Sequence, residues 1–182
     1  MSAPTGAMDR PLRDFSDCHV GIVAMLDELT LLTRQQTSPA SRREAAGRTR
    51  RFFRDVVTAH HSEEESDLFS AVLADAKAGD ERVQVESLVS RLIAEHRRVE
   101  SLYAELATAL AAIDGGADVV LDAAAVSNLV TAYRDHARLE EEVFLPLAQT
   151  ILGRNSDHMA ALGLSLHIRH ASEDVRRRFG FI

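Results

Sequence analysis

Apolar residues recur at intervals of three and four along most of this chain, the period of helices that bury one face. Leu12, Phe15, His19, Ile22, Val23, Leu26 and Leu29 predict a first helix from about Arg13 to Arg34. After a loop at Gln35 to Thr37, Ser38-Pro39 supplies a capping serine and a proline suited to a first turn. A second helix is expected from there to about Lys77. Gly79-Asp80 stops it and starts a third, with Asp80 as the expected cap. Val89, Leu92, Ile93, His96, Val99 and Tyr103 line the inner face of that helix, which runs to about Ile113. Asp114-Gly115-Gly116 breaks the pattern before a fourth helix, about Asp122 to Leu152, in which Pro146 is expected to kink or divide off the last turns. A shorter fifth helix follows over about Asp157 to Arg178. No alternating Val/Ile/Thr run argues for strands. The fold class is therefore all-α. Residues 1–11 are expected as a flexible tail, 12–152 as an antiparallel up-down-up-down four-helix bundle, and 153–182 as a C-terminal helix packed on it.

The apolar stripes carry polar residues that are costly to bury alone. His136 and Glu140 are four apart and share a face with Leu129, Ala132, Tyr133, Val143 and Leu147. His60 and Glu64 repeat that spacing among Phe53, Val56, Val57, Leu68 and Val72. Each pair has a lone histidine upstream: His19 stands 41 residues before His60, and His96 stands 40 before His136. The chain thus contains an internal repeat, one histidine on one helix and His-x-x-x-Glu on the next. A single core histidine is ordinarily satisfied by a hydrogen bond, and a helical His/Glu pair can be a local contact. Four inward histidines and two inward glutamates together call for a metal. They are too many for one tetrahedral zinc. They suit two ions, each with two histidines, bridged by both glutamates. Mixed imidazole and carboxylate donors suit iron, with zinc or manganese as substitutes. Positions are left for a bridging oxo or hydroxo group and a small exogenous ligand.

Two segments, His60-x-x-x-Glu64-Glu65-x-x-Leu68-Phe69 and His136-x-x-x-Glu140-Glu141-x-x-Phe144-Leu145-Pro146, together with His19 and His96, resemble the hemerythrin-like, or HHE cation-binding, family. The resemblance spans about residues 12 to 150. It implies a four-helix bundle around a non-haem di-iron centre, with His19, His60, His96 and His136 as terminal ligands and Glu64 and Glu140 as bridges. Binding of, or reaction with, oxygen, nitric oxide or peroxide would follow. Iron storage, donation or sensing without turnover is the alternative, and a bundle with a polar core and no metal is a third. No catalytic residue is singled out, and no cofactor beyond the metal is expected. Oxygen-carrying hemerythrins have His-x-x-x-His on the third helix, but Glu100 stands four after His96 here, as a replacement ligand, a surface group or a group behind the ligands. Ser70 stands where the second repeat has Pro146. His61 and Glu65 also have the four-residue spacing but point about 100° away from His60, so His61 is expected behind the ligands or at the surface. Glu63, Glu65, Glu141 and Glu142 are expected to be solvated or to orient ligand histidines. Tyr133 either packs in the core or donates a hydrogen bond to a bound ligand. His158, His167 and His170 read as surface histidines of the fifth helix.

Composition narrows the setting. A net charge of −7 disfavours nonspecific nucleic-acid binding. No apolar run approaches the roughly 18 residues a membrane span requires. One cysteine, Cys18, excludes an internal disulfide, and Met1 to Asp9 lack the order of a signal peptide, so a reducing cytoplasm is expected. No Gly-rich phosphate loop is present, and the chain names no protein partner.

Overall fold

A computed structural model describes residues 10–33 and 38–155, and among these there is helix and no strand. The expected N-terminal tail up to residue 9, most of the first loop, the fifth helix, and His158, His167 and His170 lie outside the described residues.

Four long helices form the bundle. Helix α1 is Arg10–Leu31, so Arg10 and Pro11 belong to it rather than to a tail. Proline is tolerated in a first turn because the N–H it lacks would have no partner there. Helix α2 covers residues 39–75, and Ser38 caps it by accepting from the Ser41 N–H at 3.2 Å. Helix α3 is Asp80–Asp114. Its cap is Gly79 rather than Asp80, because the chain turns there with φ +100° and ψ −144°, a conformation open to glycine. Asp80 and Glu81 instead place negative charge in the first turn, where the helix dipole favours it. Helix α4 covers residues 123–152, and Asp122 caps it through the N–H groups of Ala124 and Ala125.

Helix α1 packs on α2 and α4, and α3 packs on the same two. Apolar side chains make two separate clusters. One joins Leu12 and Phe15 with Leu68, Val72, Val85 and Ile151. The other joins Leu26, Leu29, Phe52, Leu110, Leu121 and Leu129. Between them lies a layer of buried histidines and glutamates.

Three five-residue stretches are wound as π-helix: Phe53–Val57, Glu64–Leu68 and Glu140–Phe144. The last two begin at corresponding glutamates of the two repeats. In each, the N–H five positions along the turn reaches back to that glutamate's carbonyl, from Phe69 to Glu64 and from Leu145 to Glu140. A proline follows only the second, at Pro146, whereas Ser70 follows the first. Proline therefore does not create the wide turn; it occupies one that the repeat already has. The wide turn also re-phases what comes after it. Val143, expected on the inner face from α-helical spacing, is 41% exposed, and Phe144 is buried in its place.

Candidate metal centre

The polar layer is built from all four helices. Helix α1 contributes His19, α2 contributes His60, His61 and Glu64, α3 contributes His96, and α4 contributes His136 and Glu140. All seven side chains are buried. They come inward because each replaces an apolar residue in its helix's stripe, so hydrophobic packing on either side carries the polar groups with it.

Their inner atoms converge. Glu64 Oε1 lies 3.1 Å from His60 Nε2 and 3.7 Å from His19 Nε2, and its Oε2 lies 3.3 Å from His96 Nε2. Glu140 Oε2 lies 3.0 Å from His19 Nε2 and 3.7 Å from His136 Nε2. Two donor sets that include glutamates result, each with atoms within 4.8 Å of one another: His19, His60, Glu64 and Glu140, and His96, His136, Glu64 and Glu140. Both glutamates belong to both sets. The Nε2 atoms of the four histidines and all four oxygens of the two glutamates are buried without a hydrogen-bond partner among the described residues. Leaving that many donors unpaired in a core costs about 1–3 kcal/mol each. Cations coordinated by these atoms remove that cost, so the donor set fits the metal that the sequence calls for.

The outer sides of the rings are held by carboxylates. His19 Nδ1 lies 2.8 Å from Glu141 Oε1, and Ser16 Oγ donates to the other oxygen of Glu141 at 2.9 Å. His96 Nδ1 lies 2.8 Å from Glu65 Oε1, while Arg97 donates to Glu65 Oε2 at 2.7 Å. His136 Nδ1 faces Glu95 Oε2 at 3.4 Å. A carboxylate accepts and does not donate, so a neutral ring in this setting carries its proton on Nδ1 and turns Nε2 inward with a free lone pair. That is the tautomer a metal requires. Of the four glutamates expected at the surface or behind ligands, Glu65 and Glu141 take the orienting role, and Glu142 is exposed. The part played by Glu95 was not anticipated; one position before His96, nothing in the sequence distinguishes it from its exposed neighbours.

Charge follows the geometry. Burial and the neighbouring Glu140 push the Glu64 carboxyl well above its usual range. Burial also works against a charged Glu140, but His19 at 3.0 Å and the nearby His136 hold its pKa below the usual value. His19 is raised despite burial, because Glu140, Glu141 and Glu64 all face it. Burial lowers His60, His96 and His136, which stay neutral and ready to coordinate.

Of the two places expected for His61, the surface is excluded: it is 1% exposed, and its ring stacks on His96 with centroids 4.0 Å apart. Glu100 is half-buried and faces His61 Nδ1 at 3.4 Å, outside both donor sets. Tyr133 is fully buried against His19 and His136, and its hydroxyl has no partner. Cys18 packs within the core, where burial raises its thiol pKa.

The hemerythrin HHE cation binding domain family matches residues 10–148. No curated protein and no solved structure matches the chain. Among the described residues, no helix is long and apolar enough to cross a membrane.

Proposed function

The chain belongs to the hemerythrin HHE cation-binding family, and from that we propose that it holds two iron ions and binds, or reacts with, a small ligand such as oxygen, nitric oxide or peroxide. The observation that carries this reading is the sharing of Glu64 and Glu140 by two otherwise separate histidine pairs. Two ions bridged by carboxylates satisfy every orphaned inner donor of the six side chains; one ion does not. Iron, when bound, would supply exchangeable coordination positions and a reversible redox couple. The chain's own residues do the rest. Glu141 and Glu65 fix the rings of His19 and His96, so the donors are aimed before metal arrives. The apolar clusters above and below exclude bulk water from the layer. The buried Tyr133 hydroxyl is the nearby neutral donor without a partner, placed to hydrogen-bond a guest.

The bundle reading takes the helices as alternating in direction. It is supported by the clusters: the start of α1, the end of α2, the start of α3 and the end of α4 meet in one of them, and the opposite ends meet in the other. A cytoplasmic setting fits the single buried thiol.

Metal analysis with an optical spectrum tests the proposal. Protein from iron-supplemented cells, or reconstituted anaerobically with ferrous iron, should carry two irons per chain and change its near-ultraviolet spectrum on oxidation. A reversible band on oxygenation makes it a carrier or sensor. Multiple turnovers of peroxide or nitric oxide make it an enzyme. Loosely held, exchangeable iron without turnover shifts the reading to storage, donation or sensing. Fewer than one metal per chain after anaerobic reconstitution overturns it.

A further inference from the structure

We propose that His61 is a fifth imidazole ligand, supplied by α2 to the ion held by His96 and His136. The inference rests on the two-metal reading above and adds a residue outside the repeat. Three observations carry it.

First, His61 has the same build as the other inward histidines. It is buried, its Nδ1 faces a glutamate, and its Nε2 is buried with no partner. His19 and His96 share all three properties. A histidine kept in a core for packing satisfies both nitrogens or lies at the edge. This one is oriented at its outer nitrogen and vacant at its inner one, which is how a chain presents an imidazole to a cation.

Second, its donor atom belongs with the others. His61, His96 and His136 form a set whose ligand atoms lie within 4.8 Å of one another. His61 belongs to neither set that contains the glutamates and joins only His96 and His136, so the ion within its reach is the one those two would hold.

Third, Glu100 changes role. The resemblance left its position, four after His96, as the place where a fifth histidine was missing. Its carboxylate instead reaches across to α2 and receives the His61 Nδ1–H at 3.4 Å, while Arg97 donates to both of its oxygens at 3.1 and 3.2 Å. The imidazole comes from the facing helix, and α3 supplies the group that aims it.

The parallel stack of His61 on His96, 5° between planes, constrains how this works. Two parallel rings share no line on which an in-plane ion can sit, so the His61 ring must tilt when both donors turn to one cation. Space for that exists on its outer side, where a cavity of about 730 Å³ opens between α2 and α3, lined by His61, Thr58, Arg97, Glu100 and Tyr103. With three imidazoles at one position and two at the other, the two ions would be held unequally.

The test is anaerobic titration with ferrous iron alone, joined to Mössbauer spectra of the iron-57 protein. Wild type should bind two inequivalent irons. His61→Ala and the bulkier His61→Gln should weaken one site by more than the about 10–100-fold typical of losing a group behind a ligand, and leave the other site unchanged. Glu100→Gln should stay within that range. His61→Gly should regain the second site and the wild-type doublets on addition of imidazole, which the cavity admits. Circular dichroism selects variants that retain the fold. Wild-type affinity and unaltered doublets in a folded His61 variant, or no rescue of His61→Gly by imidazole, overturn the proposal while the two-metal reading stands. A wild-type chain with no second iron overturns both.

Discussion

Replacing Glu64 by glutamine should shift stability in opposite directions with and without metal. In the metal-free layer, oxygens of Glu64 and Glu140 lie within 4.8 Å. Two unit charges at that distance repel by about 3.5 kcal/mol at an effective dielectric of about 20. Glu64 can escape by taking a proton, and its pKa is indeed raised well above 4.5, by burial first and by Glu140 second. Holding that proton at pH 7 costs at most about 3.4 kcal/mol, at about 1.36 kcal/mol per pH unit above 4.5. Either route puts the strain near 3 kcal/mol. Glutamine keeps the shape and removes the charge, at the loss of about 1 kcal/mol of attraction to His19. The net gain at pH 7 is about 2 kcal/mol, or about 4–8 °C in Tm for a chain of this size. The sign with pH follows from the raised value. The folded state keeps a proton that the unfolded chain releases above 4.5, so wild-type stability from this group is full below 4.5 and falls as pH rises. The advantage of Glu64→Gln is therefore absent at pH 4.5 and grows toward pH 7. Metal reverses the order. Two ions at 100 times their Kd stabilise wild type by about 5 kcal/mol in total, and a neutral side chain in the bridging position forfeits most of that. Thermal melts with chelator and with anaerobic ferrous iron, at pH 5 and pH 7, measure all four quantities. A glutamine variant that is less stable than wild type without metal, or that gains as much from iron, refutes the reasoning.

Three further substitutions probe other parts of the layer and its frame. Tyr133→Phe removes a buried hydroxyl that has no partner, so the metal-free protein should gain about 1 kcal/mol in urea unfolding; a loss of that size would mean the hydroxyl is satisfied. Glu141→Ala frees the ring of His19 and should weaken metal binding about 10–100-fold in competition with a chelator, with the helical content unchanged. Glu81 receives both terminal nitrogens of Arg154, at 2.8 and 2.6 Å, and the Lys77 N–H at 2.7 Å, which together hold its pKa down to about 2. A lowered folded value means stability that is present above the unfolded value of 4.5 and is lost as pH falls through 2. Melts of Glu81→Gln should therefore lie below wild type at pH 7 and merge with it by pH 2, and a difference that persists there would contradict the ion-pair account.

The sequence made the helices and the six inner donors legible because both obey a period. His19, His60, Glu64, His96, His136 and Glu140 stand at helical spacing in two copies, and the structure brings all six into one layer. Three features escaped for physical reasons. The π-turns were invisible because wide turns have no composition of their own, and so Val143 was assigned inward when it faces out. Helical geometry alone left His61 either behind the ligands or at the surface: 100° from His60 points away from α1 but toward α3, and only the packing of α3 makes that direction an interior. Glu95 faces His136 from another helix, and a contact between elements leaves no mark on the spacing within either.

The wide turns at Glu64–Leu68 and Glu140–Phe144 have a consequence for the chain as a written message. Each holds one residue more than an α-helix needs, so the side chains before and after it are read in different frames. Upstream, the frame aims His60 and Glu64 at the layer; downstream, it aims Phe69 and Val72 at the lower cluster. Deleting Ser66 alone would give a sequence that looks more helical, with the surplus gone. It would also swing everything from Asp67 to Asp75 by about 100° about the axis and turn Phe69 and Val72 away from their cluster. The spare residue in each repeat is punctuation: it lets one continuous rod carry two messages, one addressed to a cation and the other to an oil-like core.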